Sequence, residues 1–492
     1  MKINILIKGQ AGKGPNILAK IIGNVFTKWG YYIFISRDYG SFIRGGTNSN
    51  QITISDKLIM SNENKTDVLV SLEKNEDNLF IGKKVIEKEG EENMYFAGRL
   101  AKLFGIDFEF LEEELKKLGH FEDNLANAKK GYDDEEIKFK LEKRNIFLKL
   151  LNGAETSAEG AIKSGLDTYF AYPMTPATSL MIELAAKQYE KNFFVLELEN
   201  EIAVVNAALG AAITGAKSMI GTSGGGFDLM TEALSMSGVA EIPIVVYLAS
   251  RPGPGTGVAT YTSQGDMDIA RHFGHGEFPR VLTAPGDPTE SEEVMGQAFY
   301  LSQKYKIPFL ILTDKHLAES LYSCEKDAVV IKSQKNITLG RYNSYESDEK
   351  GVATENPEII KKNIENRLRK KENIAWECEN FEMFKIHGKK DSKNAVIFWG
   401  STKGAVLDAI SELDVKGIQI IYLEPFSSKI ADELKKMNKI IVIENNATSP
   451  LSALIAEKTG IMIKDKILRY DGWPFFSDEL RKEIENKIGG NS

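Results

Sequence analysis

Short apolar runs alternate with stretches of helical spacing along most of the chain. At the start, a strand from Ile3 to Lys8 meets a glycine loop, a helix runs from Pro15 to about Trp29, and a strand follows from Tyr31 to Ser36. Pro15 suits a first helical turn, where a missing N–H is not needed. Further strands are expected near Gln51 to Ser55 and Asp67 to Leu72, after which charge density rises to about Arg144. The next stretch reads in order as helix "AETSAEGAIKSG", strand "TYFAY", helix "SLMIELAAKQY", strand "FFVLEL", helix "EIAVVNAALGAAITG", strand "KSMIGTS" and strand "IPIVVYLAS". Such alternation implies a parallel sheet covered on both faces, with ligands at the carboxyl ends of the strands.

A polar stretch follows, within which "PEIIKKNIENRLRKK" places Ile360, Ile364 and Leu368 four apart. It reads as an amphipathic helix docking on the body, a partner-binding helix being the alternative. The end of the chain repeats the pattern with strand "AVIFWG", helix "TKGAVLDAISEL", strand "IQIIYLE" and strand "KIIVIE". The expected organisation is therefore an α/β unit over 1–146, a doubly wound parallel α/β unit over 147–332, a linker with a helix over 333–394, and a third α/β unit over 395–492. At 492 residues the chain exceeds what one core usually covers.

Composition narrows the function classes. The excess of 70 acidic over 62 basic side chains is spread along the chain, which argues against a nucleic-acid or anionic-membrane surface. Cys324 and Cys378 are too far apart in sequence to suggest a metal motif or a disulfide framework. The run Ile3 to Ile7 is too short for a signal peptide, and "IPIVVYLA" is strand-sized, so a soluble cytoplasmic protein is expected.

Several stretches carry candidate chemistry. "GQAGKG", Gly9 to Gly14, sits where a strand meets a helix, so backbone N–H groups and the helix dipole suit a phosphate; a tight structural turn is the alternative. It lacks the P-loop and dinucleotide spacings, although Asp38 lies at a plausible distance for a ribose contact. Arg44 beside Gly45 and Gly46 offers a cation on a flexible backbone, or a hairpin turn. In "YPMTP" the prolines fix φ on either side of Thr175, so its hydroxyl is presented with little conformational freedom; a rigid crossover loop is the alternative. Glu201 opens a helix after a strand expected to be buried, or is simply a solvated first-turn carboxylate. Gly224 to Gly226 allow close backbone approach, and Arg251, straight after a buried strand, suits a two-pronged carboxylate contact. His272 and His275 form either a metal pair or part of a loop.

With Thr175, Glu201 and Arg251 in these surroundings, the chain resembles the alpha subunit of 2-oxoacid:ferredoxin oxidoreductases, in the form with a fused N-terminal gamma domain. "GQAGKG" and "YGSFIRGG" look like the gamma part, "YPMTPATS" like the family's Tyr-Pro-Ile-Thr-Pro signature, and "RPGPGTG", "GHGEFPR", "ENNATS" and "YDGWPF" like later hallmarks. Met174 replaces the usual isoleucine, and Trp473 stands where the family often has arginine.

The resemblance implies thiamine diphosphate chemistry: a 2-oxoacid, 2-oxoglutarate favoured, plus coenzyme A gives acyl-CoA, carbon dioxide and two low-potential electrons for ferredoxin. It implies a gamma domain over 1–146, a pyrimidine-type thiamine-binding domain over 147–332 and a transketolase-C-like domain over 395–492. Glu201 matches the glutamate that bonds the coenzyme's aminopyrimidine ring, favouring the tautomer that deprotonates its reactive carbon. Thr175 and Arg251 match residues holding the substrate's carboxylate and carbonyl end. Tyr172, Pro173 and Gly224 join Glu201 as cofactor-binding positions.

A Gly-Asp-Gly magnesium motif with a downstream asparagine is missing. "GDMD" at Gly265 and "GDPT" at Gly286 lack the second glycine. A beta subunit is thus implied to bring diphosphate binding, Mg2+ and a 4Fe-4S cluster, in an (alpha-beta)2 heterotetramer. For a dicarboxylate substrate, Arg271, Arg280 or Lys315 offers the second cation. The rival readings are the same chemistry on pyruvate or branched-chain 2-oxoacids, a non-catalytic assembly subunit, and a nicotinamide-binding dehydrogenase.

Overall fold

The computed structural model describes residues 1–40, 47–73, 82–88, 90–335 and 340–489, so Arg44, Gly45 and Gly46 lie outside the described residues. The chain forms two compact units.

The first unit comprises Met1–Asn152, Ser320–Asp327 and Phe476–Arg481. Its sheet has seven strands, in the order 84–87, 68–71, 2–10, 47–55, 32–38, 321–324 and 149–151. Strand Thr47–Ser55 runs antiparallel between Lys2–Gln10 and Tyr32–Asp38, separating the two strands that a dinucleotide-binding unit keeps adjacent. The glycine loop is a turn in which Gly12 and Gly14 take left-handed φ of 93° and 77°, and Gly14 leads into helix Pro15–Lys28. Three helices, Asn93–Leu103, Phe108–Leu115 and Phe121–Asp133, occupy the charge-rich region. The first and third touch backbone to backbone: a Cβ on Gly98 would lie 1.9 Å from the Ala128 carbonyl oxygen, and one on Gly131 1.9 Å from that of Tyr95.

The second unit comprises Gly153–Glu319, Ala328–Phe475 and Lys482–Ser492, and holds two sheets. The larger has the strand order 422–424, 281–283, 308–314, 244–250, 218–222, 168–171, 194–197. All neighbours are parallel except Tyr422–Glu424 against Val281–Thr283. Strand Ile244–Ser250 is buried at every position, as expected for a central strand covered on both faces. The smaller sheet orders strands 384–388, 416–420, 394–399, 439–444 and 465–468, and one apolar core runs from Val204 and Leu248 of the larger layer to Ile397 and Val442 of the smaller.

Several elements differ from the sequence reading: strand Phe194–Glu197, expected to be buried, is the exposed edge of the larger sheet, and two others change in kind. "IQIIYLE" is not one strand: Lys416–Ile420 belongs to the smaller sheet and Tyr422–Glu424 to the edge of the larger, with the handover at Ile421. Helix Pro357–Cys378 packs along Ile360, Ile364, Arg367, Ile374 and Cys378, while Leu368 faces outward at 49% exposure. A strict four-residue step walks off the packed stripe because the helix repeats every 3.6 residues. Arg367 takes the inward place and pairs with Glu346.

Candidate functional site

The site gathers in the second unit at the carboxyl ends of strands Thr168–Ala171, Ser218–Thr222 and Ile244–Ser250. Parallel register sets the level: Ala171 lies opposite Gly221, and Thr222 opposite Leu248. The residue stretches that follow these strands therefore emerge side by side.

The loop after Thr168–Ala171 carries Tyr172, Pro173 and Thr175. Tyr172 is exposed, Pro173 and Thr175 are half-buried, and Pro176 is buried where helix Thr178–Lys191 begins. The Arg251 guanidinium donates from Nη1 to the Thr175 carbonyl oxygen at 2.9 Å, so these two predicted residues meet. Among the described residues, neither the Thr175 hydroxyl nor the remaining Arg251 N–H groups make another hydrogen bond. Burial lowers the pKa of Arg251, and the charge of Asp266 opposes that shift.

Glu201 is the first residue of helix Glu201–Ile213 and is 5% exposed. Asn200 fixes its backbone, accepting from the Ala203 N–H at 2.9 Å in an ordinary N-cap. The carboxylate lies against the turn after strand Ser218–Thr222: a Cβ on Gly226 would fall 2.6 Å from Glu201 Oε1 and 2.3 Å from Thr222 Oγ1. No hydrogen bond reaches this carboxylate among the described residues. The residue is buried but its carboxylate oxygens are not sealed from solvent, so their acceptor capacity is open to a ligand donor. Ser223 is 1% exposed, and its hydroxyl is also without a partner at the head of helix Gly224–Ala240. The open Glu201 carboxylate and the orphaned Ser223 hydroxyl fit the hydrogen-bonding edge of a nitrogen heterocycle such as the aminopyrimidine ring.

Gly224 connects the two halves. A Cβ there would sit 2.6 Å from Asp266 Oδ1, and Asp266 accepts from the Ser250 hydroxyl at 2.8 Å, next to Arg251. Burial raises the pKa of Asp266, as does the charge of Asp228, while Ser250 and Arg251 oppose the rise. Sequence reasoning passed over Asp266 because "GDMD" was weighed only as an incomplete magnesium motif.

Other candidates fall elsewhere. Among the described residues no group of three or more His, Cys, Asp or Glu side chains is arranged to hold a metal ion. The His272 ring meets its own helix at the Asp268 carbonyl oxygen, 3.0 Å away, and the His275 N–H donates to Ser235. Of the cations considered for a second substrate carboxylate, Arg271 is paired with Glu457 at 2.6 Å. Arg280 lies 4.2 and 4.3 Å above the Phe273 and Phe278 rings, with burial pushing its pKa down to about 10. Lys315 follows Asp314, the strand partner of Ser250, so the sheet brings it level with Arg251. Trp473 packs edge-on against Tyr261, and its carbonyl oxygen accepts from Asn445. No helix among the described residues is long and apolar enough to cross a membrane.

Residues 159–381 match the family model for the thiamine diphosphate-binding domain of pyruvate flavodoxin/ferredoxin oxidoreductases, and residues 4–91 that for pyruvate ferredoxin/flavodoxin oxidoreductases. The 2-oxoacid:ferredoxin oxidoreductase subunit alpha of Saccharolobus solfataricus is 29% identical over 99% of this chain and 98% of its own length. The 2-oxoglutarate synthase subunit KorA of Methanocaldococcus jannaschii is 28% identical over 61% of this chain and 88% of its own. In fold, the chain is similar to the 2-oxoglutarate:ferredoxin oxidoreductase from Magnetococcus marinus, solved with 2-oxoglutarate, coenzyme A and succinyl-CoA bound. The TM-score is 0.87 at 22% identity, over 99% of each chain. The chain is thus similar over nearly its full length to alpha subunits of 2-oxoacid:ferredoxin oxidoreductases, contains stretches that match two pyruvate ferredoxin/flavodoxin oxidoreductase family models, and shares the fold of the Magnetococcus enzyme.

Proposed function

We propose that this chain, together with a beta-type partner, oxidatively decarboxylates 2-oxoglutarate with coenzyme A, using thiamine diphosphate and passing the electrons to ferredoxin. The observation that carries the reading is Glu201: a buried carboxylate with unused acceptor capacity, given room by a glycine at position 226.

In this reading Glu201 accepts a hydrogen bond from the coenzyme's aminopyrimidine head and holds a proton at that ring nitrogen, while Tyr172, Pro173 and Gly224 line the space around it. Bound thiamine diphosphate supplies the electron sink for carbon–carbon cleavage. Thr175 and Arg251 hold the substrate's carboxylate and carbonyl end, the guanidinium being steadied by its bond to the Thr175 carbonyl oxygen. That contact has to orient the carboxylate without overstabilising the ground state, because the reaction releases it.

Mg2+, diphosphate binding and a 4Fe-4S cluster are assigned to the partner, in an (alpha-beta)2 assembly in the cytoplasm. An apolar surface beside the site supports a partner there. Phe194 and Leu196 on the edge strand are 50% and 36% exposed, and Ile202 and Leu229 on the adjoining helices 53% and 52%. The choice of 2-oxoglutarate leans on the relative named for it; pyruvate and branched-chain 2-oxoacids are the alternatives.

Co-production with the partner and a viologen-reduction assay dependent on coenzyme A, run across these acids, tests the proposal. Turnover fastest with 2-oxoglutarate is expected. A faster rate with another acid reassigns the substrate, and no turnover with any points to the assembly-subunit reading. Glu201→Gln is expected to slow turnover by about 10²- to 10⁴-fold, and a near-normal rate removes it from the mechanism.

A further inference from the structure

We propose that the cavity which the turn 274–280 forms with helices Pro357–Cys378 and Pro450–Thr459 is a further ligand site, built to take a small organic phosphate monoester. It measures about 280 Å³, at the lower end for small-molecule sites. Thr175, Glu201 and Arg251 are not among its walls.

The turn is the stretch "GHGEFPR". Gly274 and Gly276 take left-handed φ of 76° and 77°, and the His275 N–H donates to the Ser235 hydroxyl at 2.9 Å. Phe278 then packs on helix Gly224–Ala240 at Gly238, where a Cβ would lie 2.4 Å from the ring. Phe273 and Phe278 flank the Arg280 guanidinium, with ring centroids 4.2 and 4.3 Å away. Its Nη1 donates to the carbonyl oxygens of Arg271 at 3.3 Å and Phe273 at 2.5 Å. These contacts fix the guanidinium without neutralising it. Among the described residues, its Nη2 and Nε make no hydrogen bond, and no carboxylate pairs with it. Burial pushes its pKa down to about 10, and the charge of Glu424 offsets only part of that. A held, desolvated guanidinium without a counter-charge suits a bound oxyanion.

Five Lys and Arg side chains line the cavity against three carboxylates, in a chain whose net charge is −8. Arg271 and Lys458 are paired with Glu457, Lys458 also with Glu424, and Arg367 with Glu346. Glu277 is exposed, where solvent screens it. Arg280 and Lys371 are left without a carboxylate partner among the described residues, matching the double charge of a phosphate monoester above its second pKa of about 6. The space exceeds what a lone phosphate fills, and Phe278 with the half-exposed Leu368 gives an organic body an apolar wall.

The test is calorimetry on the full-length chain with adenosine monophosphate as the probe and inorganic phosphate and adenosine as separate arms. AMP should bind at one site per chain, inorganic phosphate should compete with it more weakly, and adenosine should bind about tenfold or more weaker than AMP. Arg280→Gln should raise the AMP Kd about tenfold or more and Lys371→Ala about threefold or more, with melting temperatures within a few degrees of the parent. Arg251→Gln should leave AMP binding unchanged.

No saturable AMP binding, adenosine binding as tightly as AMP, or an unchanged Kd in Arg280→Gln overturns the proposal. So does loss of AMP binding in Arg251→Gln, which moves the anion to the site at Thr175. If Arg280→Gln does not fold, Lys371→Glu replaces it, with AMP binding about tenfold weaker expected and an unchanged Kd overturning the idea.

Discussion

Gly226 stands where a side chain cannot, because a Cβ would meet both Thr222 Oγ1 and Glu201 Oε1. Alanine is the better helix former at such a position by about 1 kcal/mol. Gly226→Ala is therefore a case in which local propensity and site geometry oppose each other. Turnover should fall by about tenfold or more as the Glu201 carboxylate is pushed aside, while the melting temperature changes by only a few degrees, measured on the same preparation. Thr175, Glu201 and Arg251 were legible in the sequence because prolines, a helix start and a strand end each limit where one side chain can go. Asp266 was not, because its partners come from residues 16 to 42 positions earlier and only the folded sheet brings Ser250 and Gly224 beside it.

Elements show the same division. Glu201 was read as opening a helix, and the structure adds Asn200 as its cap, accepting from the Ala203 N–H. Asn200→Ala should cost about 1 kcal/mol, seen as a lower denaturation midpoint, and should raise the 2-oxoacid KM less than it lowers kcat, since the group it anchors is Glu201. In "IQIIYLE", by contrast, an apolar run said strand but not which sheet. The Ile421 carbonyl oxygen accepts from Ala284 at 2.7 Å and its N–H donates to Met383 at 3.0 Å, partners remote in sequence, and the run divides there. Helices 93–103, 108–115 and 121–133 were hidden because the charged residues on their outer faces dominate the composition, and glycines supply the close contact between the first and third.

At the scale of the molecule, two buried titratable groups of the second unit contribute to acid sensitivity. Burial alone would raise the pKa of Glu290, but Lys403 and Lys385 more than offset it, leaving the carboxyl below its ordinary 4.5. Lys403 Nζ lies 2.6 Å from Glu290 Oε1, and Gln419 Nε2 donates to Oε2 at 2.6 Å. His316 is pushed down to about 3, by burial first and by Lys315 second. Both folded values lie below the unfolded ones, so the unfolded chain binds more protons and stability falls as pH falls. Thermal melts from pH 8 to 3 should show the decline beginning near 6.5, where unfolded histidine protonates, and steepening below 4.5. Lys403→Met should cost up to about 3 kcal/mol at pH 7 by leaving the buried Glu290 carboxylate to Lys385 and Gln419 alone, and its difference from the parent should narrow on acidification.

The α/β class, the alternation of strands and helices through the second unit and the proline-flanked turn at Thr175 were already readable in the sequence, because periodicity, prolines and glycines act within a few residues of themselves. Which sheet each strand joined, the antiparallel strand inserted in the first unit, and the meeting of Asp266 with Ser250 and Gly224 were decided only by tertiary structure. Those depend on contacts between residues far apart along the chain, whose pairing is chosen by the burial of both partners at once rather than by either neighbourhood alone.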